Sequence, residues 1–372
     1  MSVWRVGVAI LAGALLVSAC GGAQAAHEGT SATPEVVQAD PVISLAAPTA
    51  PAMPQTPTCG SPASAAGSNG LCSPRLPETS AAPSPPANTP QPDTPLPPPE
   101  ATPCAQEICA YPDVFIFNRP IAPPGRDTID TSYRFGTTEN KQRDPHHGVE
   151  FLNSKGTPVH AAADGVVVVA GDDREIFYGP YSYFYGNLVV LRHQLPPSIP
   201  GSSQPVFTLY AHLSEVLVSP GQAVKAGQEI GKVGMTGVAT GSHLHFEVRW
   251  GENAYSASRN PEIWLKPHAN EQGVQNGSLA GRILDSQGRL LEVSNIVIEP
   301  LGQDGQPDGL KYYLETYEEK DLLGEPPWGE SFALGDLPPG MYRISFIKGA
   351  IQQRQVEVLP GTLSVMTIQL QP

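Results

Sequence analysis

The chain has 372 residues, enough for two ordinary domains, and its 36 acidic and 22 basic side chains give a formal net charge of -14. Nucleic acids and anionic membrane surfaces are usually bound through clustered Lys and Arg, so this charge argues against both classes of partner. Only the extreme N-terminus approaches the run of about 18 apolar residues that a membrane-spanning helix needs.

Residues 1–20 have the layout of a secretion signal. Arg5 and the terminal amine form a positive start, and a short apolar run, residues 6–17, leads into small side chains. The run Leu16-Val17-Ser18-Ala19-Cys20 resembles the bacterial lipobox, which implies cleavage before Cys20 and lipid attachment to its sulfur. The alternative is an ordinary cleaved signal with its site near Ala19 or Ala26. Both interpretations place the mature protein outside the cytoplasm, the first as a membrane-anchored lipoprotein of the cell envelope.

Residues 21–112 are dominated by Pro, Ala, Ser and Thr. Such a segment has too little periodic apolar surface to offset the entropy lost on ordering, so we expect a disordered, semi-extended tether. Proline-rich tethers favour the polyproline II conformation and act as spacers. Composition leaves open the alternative of featureless disorder without a required reach.

Four cysteines remain once Cys20 is set aside, and in an oxidising compartment an even number favours local disulfides. They are Cys59, Cys72, Cys104 and Cys109. Three pairings are possible, and the sequence does not choose among them. A structural zinc site is the rival interpretation, but no strong strand or turn pattern surrounds these cysteines to hold a tetrahedron.

Residues 113–268 change to short runs rich in β-branched and aromatic residues between turn signals, with no amphipathic helix. This pattern predicts an all-β domain rather than βαβ units. The runs are Val159 to Ala170, Asn187 to His193, Val206 to His212, Val224, Ile230 to Val233 and His243 to Trp250.

Residues 277–372 predict a second all-β domain, because apolar and polar residues alternate in several short runs. Gly281 to Gly288 and Leu334 to Tyr342 resemble the transthyretin-like β-sandwich known as the carboxypeptidase regulatory-like domain. This region contains no Cys and no His, so we expect an accessory or spacer module without a site of its own.

Polar residues that suit metal chemistry occur in three places. In the strand-like run His243-Leu244-His245-Phe246-Glu247, alternate side chains share a face, which brings His243, His245 and Glu247 together. Two imidazoles at positions i and i+2 can approach one metal ion or one water. In extended chain His146, Gly148 and Glu150 also share a face, and Gly148 leaves room for an ion. His212 follows an apolar strand at a predicted loop, where a side chain can reach into a cleft.

Taken in this order, these motifs resemble the lysostaphin-like LytM family of zinc metallopeptidases, and the resemblance covers about Arg134 to Pro267. It includes several glycine loops and short motifs, among them Ala163-Asp164-Gly165-Val166, Tyr185-Gly186-Asn187, Tyr210-Ala211-His212-Leu213 and Ser242-His243-Leu244-His245-Phe246-Glu247. The resemblance implies a compact antiparallel β-sheet fold with the metal in a groove.

The resemblance also implies the roles of the site residues. His146, Glu150 and His245 are expected to bind Zn²⁺, with Glu150 where the family has Asp, and His212 and His243 to act on the catalytic water and the developing oxyanion. The implied activity is a zinc metalloendopeptidase that hydrolyses peptide cross-links of peptidoglycan. The alternative is a non-catalytic lipoprotein of the same fold that binds peptidoglycan or regulates hydrolases. His147 points away from Glu150 in extended chain, so we expect it to pack or to support a ligand rather than to be a fourth ligand. His160, His193 and His268 lack a matched partner and are expected to be structural.

Overall fold

The computed structural model describes residues 107–138, 141–199, 201–317 and 322–372, all within the compact unit Thr89–Pro372. In these ranges the chain forms strands and two short 3-10 helices, which confirms the prediction that the protein is all-β. No helix in the described ranges has the length and apolar character needed to cross a bilayer. The predicted signal, Cys20 and most of the tether lie outside the described residues.

The strands are numbered β1 to β18 in chain order. They are β1 (Ile108–Pro112), β2 (Val149–Leu152), β3 (Pro158–His160), β4 (Gly165–Asp172), β5 (Asn187–His193), β6 (Val206–Ala211), β7 (Glu215–Val216), β8 (Ala223–Val224), β9 (Glu229–Lys232), β10 (His243–Trp250), β11 (Ser258–Arg259), β12 (Gly277–Leu284), β13 (Ile296–Pro300), β14 (Tyr312–Leu314), β15 (Phe332–Leu337), β16 (Gly340–Lys348), β17 (Ala350–Val358) and β18 (Thr362–Gln369). The 3-10 helices are Tyr255–Ala257 and Pro261–Ile263.

Residues 113–268, the predicted central domain, contain a seven-stranded sheet in the order β11-β10-β6-β5-β4-β8, with β2 also paired to β10. A small second sheet has the order β3-β9-β7. Apolar side chains from both sheets, including Val159, Ile230 and Phe246, belong to one buried cluster. The run Val159 to Ala170, predicted as one β segment, divides into β3 and β4, because the chain turns between them and enters different sheets.

The register of β10 decides which side chains meet. Its first half is antiparallel to β2, with His245 directly opposite Glu150, and β6 lies on its other side, with Ala211 opposite His245. Directly opposite residues in an antiparallel pair have Cβ atoms about 5 Å apart. Three distant parts of the sequence therefore converge on the face of β10 that carries His245.

The predicted C-terminal domain, together with β1, contains two four-stranded sheets, in the orders β1-β18-β12-β15 and β14-β13-β16-β17. Alternate residues of their strands form one hydrophobic cluster that includes Ile283, Ile298, Phe346, Val356 and Ile368. The pairing of two sheets on a shared core agrees with the alternation in the sequence. The assignment to the transthyretin-like type stays a prediction.

The N-terminal boundary of this domain differs from the one expected from the sequence. Residues 108–112, placed in the tether by their composition, form β1 and pair antiparallel with β18 over five residues. This run is short and close to prolines, so its local sequence does not distinguish a strand from tether. The strand that it pairs with lies about 250 residues further along the chain. Cys109 in this strand is disulfide-bonded, and the other cysteines lie outside the described residues.

One hydrophobic core crosses from the central domain into the C-terminal domain. The same buried cluster holds Trp264 and Phe117 of the former with Trp328 and Val365 of the latter. The fully buried ring of Trp264 lies 6.1 Å from Phe117 and 6.3 Å from Trp328 between ring centroids, and its Nε1–H donates to the Glu325 carboxylate. The two domains therefore share an interior rather than only a surface contact.

We expect Trp264→Ala to lower the free energy of unfolding by about 3–5 kcal/mol, the usual cost of removing a buried Trp. Because the core is shared, both domains should unfold in a single calorimetric transition at a lower Tm. Leu310→Ala is the control, since Leu310 is 79% exposed and such surface changes cost no more than about 0.5 kcal/mol. Two separate transitions, only one of them shifted, would contradict the shared core.

Candidate metal centre

The five side chains predicted to form the site lie together in the structure. Glu150 Oε1 is 3.0 Å from His146 Nε2 and 3.0 Å from His245 Nδ1, and these two nitrogens are 3.3 Å apart. His243 Nε2 is 3.1 Å from Glu150 Oε2. The ring of His212 lies 4.8 Å from that of His243 and 5.7 Å from that of His245, measured between centroids.

Each of the four imidazoles has its second nitrogen next to an oxygen that can only accept a hydrogen bond. The pairs are His146 Nδ1 with Arg134 O at 3.3 Å, His212 Nδ1 with Thr236 O at 2.8 Å, His243 Nδ1 with Gly241 O at 2.9 Å, and His245 Nε2 with Glu247 Oε1 at 2.9 Å. With a cation at the centre, the nitrogen facing this acceptor would keep its proton, and the other nitrogen would offer its lone pair to the ion.

Three of these inward atoms suit a divalent cation. His146 Nε2, Glu150 Oε1 and His245 Nδ1 lie 3.0–3.3 Å from one another. Donors at 2.0–2.1 Å from a tetrahedral zinc ion would be roughly 3.3 Å apart. Glu150 Oε2 is buried and makes no well-directed hydrogen bond, although His243 is near. Two imidazoles and one carboxylate, all buried, form a donor set that fits such an ion.

Gly148 allows the ligand atoms to come together. A Cβ at this position would lie 2.7 Å from His245 Cε1 and 2.6 Å from the carbonyl oxygen of Phe246. The space next to Gly148, expected from the sequence to admit an ion, is therefore taken by the imidazole of His245. A larger residue here would push that ring away from Glu150.

His212 is held in an uncommon backbone conformation. Its φ is 60°, in the left-handed region, which costs a non-glycine residue on the order of 1 kcal/mol or more. Its N–H donates to Tyr185 O at 2.9 Å, directly after the end of β6. Burial, with the neighbouring His245 and His243, lowers the pKa of His212 to about 3, so the ring is neutral near pH 7.

Glu247 forms a buried network behind His245 that the sequence did not assign. Its carboxylate accepts hydrogen bonds from Arg249 Nε at 2.8 Å, Ser258 Oγ at 3.2 Å and the Tyr185 hydroxyl. Burial opposes its ionisation, but Arg249 and His245 hold the pKa of Glu247 well below its usual range. The signal was present in the alternation of β10, because Glu247 and Arg249 share the face of His243 and His245.

Burial likewise opposes the ionisation of Glu150. The imidazoles of His245 and His146 nevertheless keep the pKa of this carboxyl well below its usual range. Glu150 is therefore an anionic donor at neutral pH.

Three other histidines in the described part of the chain make contacts outside this cluster. His147 stacks on Tyr255 with 3.6 Å between ring centroids, and burial lowers its pKa to about 4. His193 lies 2.8 Å from Asp164 O and from Thr208 Oγ1. His268 does have partners, since its Nε2 is 3.0 Å from Asp127 and its Nδ1 contacts Asp336. Each of these three histidines therefore has a structural contact of its own.

Residues 144–257, which include all five site residues, match the model described as Peptidase family M23. Peptidoglycan DD-endopeptidase ShyA of Vibrio cholerae is 36% identical over 131 residues, which are 33% of this chain and 26% of that protein. DD-carboxypeptidase/endopeptidase Mpg of Neisseria meningitidis is 40% identical over 104 residues, 28% of this chain and 20% of that protein.

Among solved structures, the catalytic domain of the antimicrobial peptidase lysostaphin from Staphylococcus simulans is 35% identical. The match covers 32% of this chain and 76% of that domain, with a TM-score of 0.26. The chain spans only about a fifth to a quarter of the length of these curated relatives. Residues 144–257 therefore form a domain of peptidase family M23.

We expect Glu247→Gln to weaken binding of a divalent cation by 10- to 100-fold, as loss of a carboxylate behind a ligating histidine usually does. The reason is that a neutral amide holds the Nε2–H of His245 less strongly and leaves Arg249 without its anionic partner. Glu252→Gln is the matched control, because Glu252 is exposed. Affinity is measured by competition with a chromophoric chelator, and equal affinities for both variants would exclude this role.

Proposed function

We propose that the protein is a zinc metalloendopeptidase that hydrolyses peptide cross-links of peptidoglycan. The observation that carries the proposal is the convergence of His146, Glu150 and His245, with two further histidines beside them, within a domain of peptidase family M23. The similar proteins include peptidoglycan DD-endopeptidases, which supports peptidoglycan as the substrate class.

In this proposal His146, Glu150 and His245 hold the ion. Three protein donors of nitrogen and oxygen type leave a coordination position for water, as in catalytic rather than structural zinc sites. A zinc ion held there would supply Lewis-acid chemistry, which polarises a substrate carbonyl and lowers the pKa of a coordinated water to about 7. The extra methylene of Glu150, relative to the Asp of the family, is accommodated, since Oε1 is equally distant from both imidazoles.

His212 and His243 are assigned to proton transfer and charge stabilisation. Each has its Nδ1–H engaged by a main-chain carbonyl, so each directs Nε2 to the centre. A neutral imidazole accepts a proton from the attacking water, and the resulting cation stabilises the tetrahedral oxyanion.

The competing candidate is a non-catalytic protein that keeps the fold to bind peptidoglycan or to regulate hydrolases. The complete donor set weighs against it, because a buried carboxylate and two imidazoles aimed at one point carry a desolvation cost that binding alone does not require. The two functions differ in one measurable respect, which is turnover.

The test uses the mature full chain with purified sacculi and defined muropeptides. We expect wild type to bind one zinc ion and to cleave, chelation to abolish cleavage, and zinc to restore it. His146→Ala and His245→Ala should lose both metal and activity. His212→Ala should keep the metal and lose 10²- to 10⁴-fold in rate, the usual contribution of a general base.

His268→Ala, at a histidine outside the site, is the control and should retain activity. Mass spectrometry of the fragments identifies the bond that is cut. Zinc-loaded wild-type protein that leaves all muropeptides intact would overturn the hydrolase proposal and favour the binding role.

We further propose that the protein acts outside the cytoplasm, anchored to a membrane by lipid on Cys20. The lipobox-like run and a peptidoglycan substrate support this location. We expect Cys20→Ala to move the protein from the membrane fraction to the soluble extracytoplasmic fraction, with metal binding unchanged. Membrane retention of this variant would exclude the anchor.

A further inference from the structure

The C-terminal domain contacts the segment that positions His146. This segment, Arg134 to Thr138, makes three hydrogen bonds with His146. Gly136 N donates to His146 O at 2.8 Å, His146 N donates to Thr137 O at 3.2 Å, and His146 Nδ1 lies 3.3 Å from Arg134 O. The backbone and the ring orientation of His146 therefore depend on where this segment lies.

Aromatic packing fixes the middle of the segment. Phe135 packs edge-on against Tyr317 of the C-terminal domain, with 5.1 Å between ring centroids, and Leu322 completes this buried cluster. Gly136 lies so close to Tyr317 that an added Cβ would be 2.7 Å from the Tyr317 Cβ. The Tyr317 hydroxyl donates to Glu330 Oε1 at 2.7 Å, which holds the ring in place.

Polar contacts fix the two ends of the segment. Thr138 donates its hydroxyl to Glu315 Oε2 at 2.9 Å and its N–H to the other oxygen of the same carboxylate. Arg134 pairs with Glu262 Oε2, which also accepts the N–H of Gly335 in β15 at 2.8 Å. Both ends are thus held by carboxylates that belong to, or bind, the C-terminal domain.

We propose that the C-terminal domain is part of the metal centre, with Tyr317 and Glu315 as positioning residues that fix His146 through the segment Arg134 to Thr138. The inference rests on the proposed function only in that His146 is taken as a metal ligand. An accessory module expected to have no role in the site would then determine how tightly the ion is held.

The zinc dissociation constant of the full chain is the first readout, and the visible spectrum of the Co²⁺-substituted protein, which reports ligand geometry, is the second. We expect Tyr317→Leu to weaken zinc binding 10- to 100-fold and to change the Co²⁺ spectrum. Tyr313→Leu is the matched control, because Tyr313 lies on β14 of the same domain and is 71% exposed. Tyr317→Phe keeps the ring against Phe135 and should restore the affinity.

Glu315→Ala tests the polar contact with Thr138, and Glu357→Ala at an exposed position is its control. This pair of variants tests the inference by itself if Tyr317→Leu does not fold. We expect several-fold weaker zinc binding for Glu315→Ala and no change for its control. Zinc affinities of both test variants within twofold of their controls would overturn the inference and leave the proposed hydrolase intact. Wild-type protein that binds zinc in this way but cuts no muropeptide would overturn the hydrolase alone.

Discussion

The pairing register of β10 is the constraint on which the site depends. His245 is opposite Glu150 on β2 and opposite Ala211 on β6. This one position therefore brings the Glu150 carboxylate next to His245 and places His212, which follows Ala211 in the chain, beside them. Side chains alternate with a period of two, and a slip of one residue would turn His245 and Glu247 to the other face. Apolar residues on that other face, such as Leu244 and Phe246, are fully buried. The hydrophobic core therefore enforces the register, and the register assembles the centre.

Oxygen acceptors around the centre orient the imidazole rings. Four imidazoles within a few ångströms of each other could adopt many protonation patterns, but each ring has one nitrogen facing a carbonyl or carboxylate oxygen. Three of these acceptors are main-chain carbonyls, which cannot be altered by side-chain substitution. The fourth is Glu247, whose charge is balanced by the fully buried Arg249. Burying this ion pair costs desolvation free energy, and its role in the site is to orient the imidazole of His245.

The sequence predicted features that are written in local patterns. The alternation in His243 to Glu247 and the spacing of His146 and Glu150 identified the side chains that the structure brings together, and both all-β domains followed from short β-type runs. Features that depend on contacts between distant parts of the sequence were not predicted. Strand β1 was predicted as tether because its pairing partner is the last strand. Strand β17 is mostly polar, and its only buried residues are Val356 and Val358. The Gly148 space was assigned to an ion because its occupant, His245, comes 97 positions later.

The order of the strands explains why the two domains act as one unit. β1 precedes the central domain and β12 follows it, and both pair with β18, on its two sides. The peptidase domain is thus inserted between two strands of a single sheet, so both of its ends are held by the same strand. Deleting residues 277–372 would remove the partner of β1, expose the buried Trp264 and release Phe135 from Tyr317. Loss of activity on deletion would therefore not show that the C-terminal domain binds substrate, because the same deletion removes the support of His146. Point substitutions at the contact separate the two roles, since they leave the outer surface of the C-terminal domain unchanged.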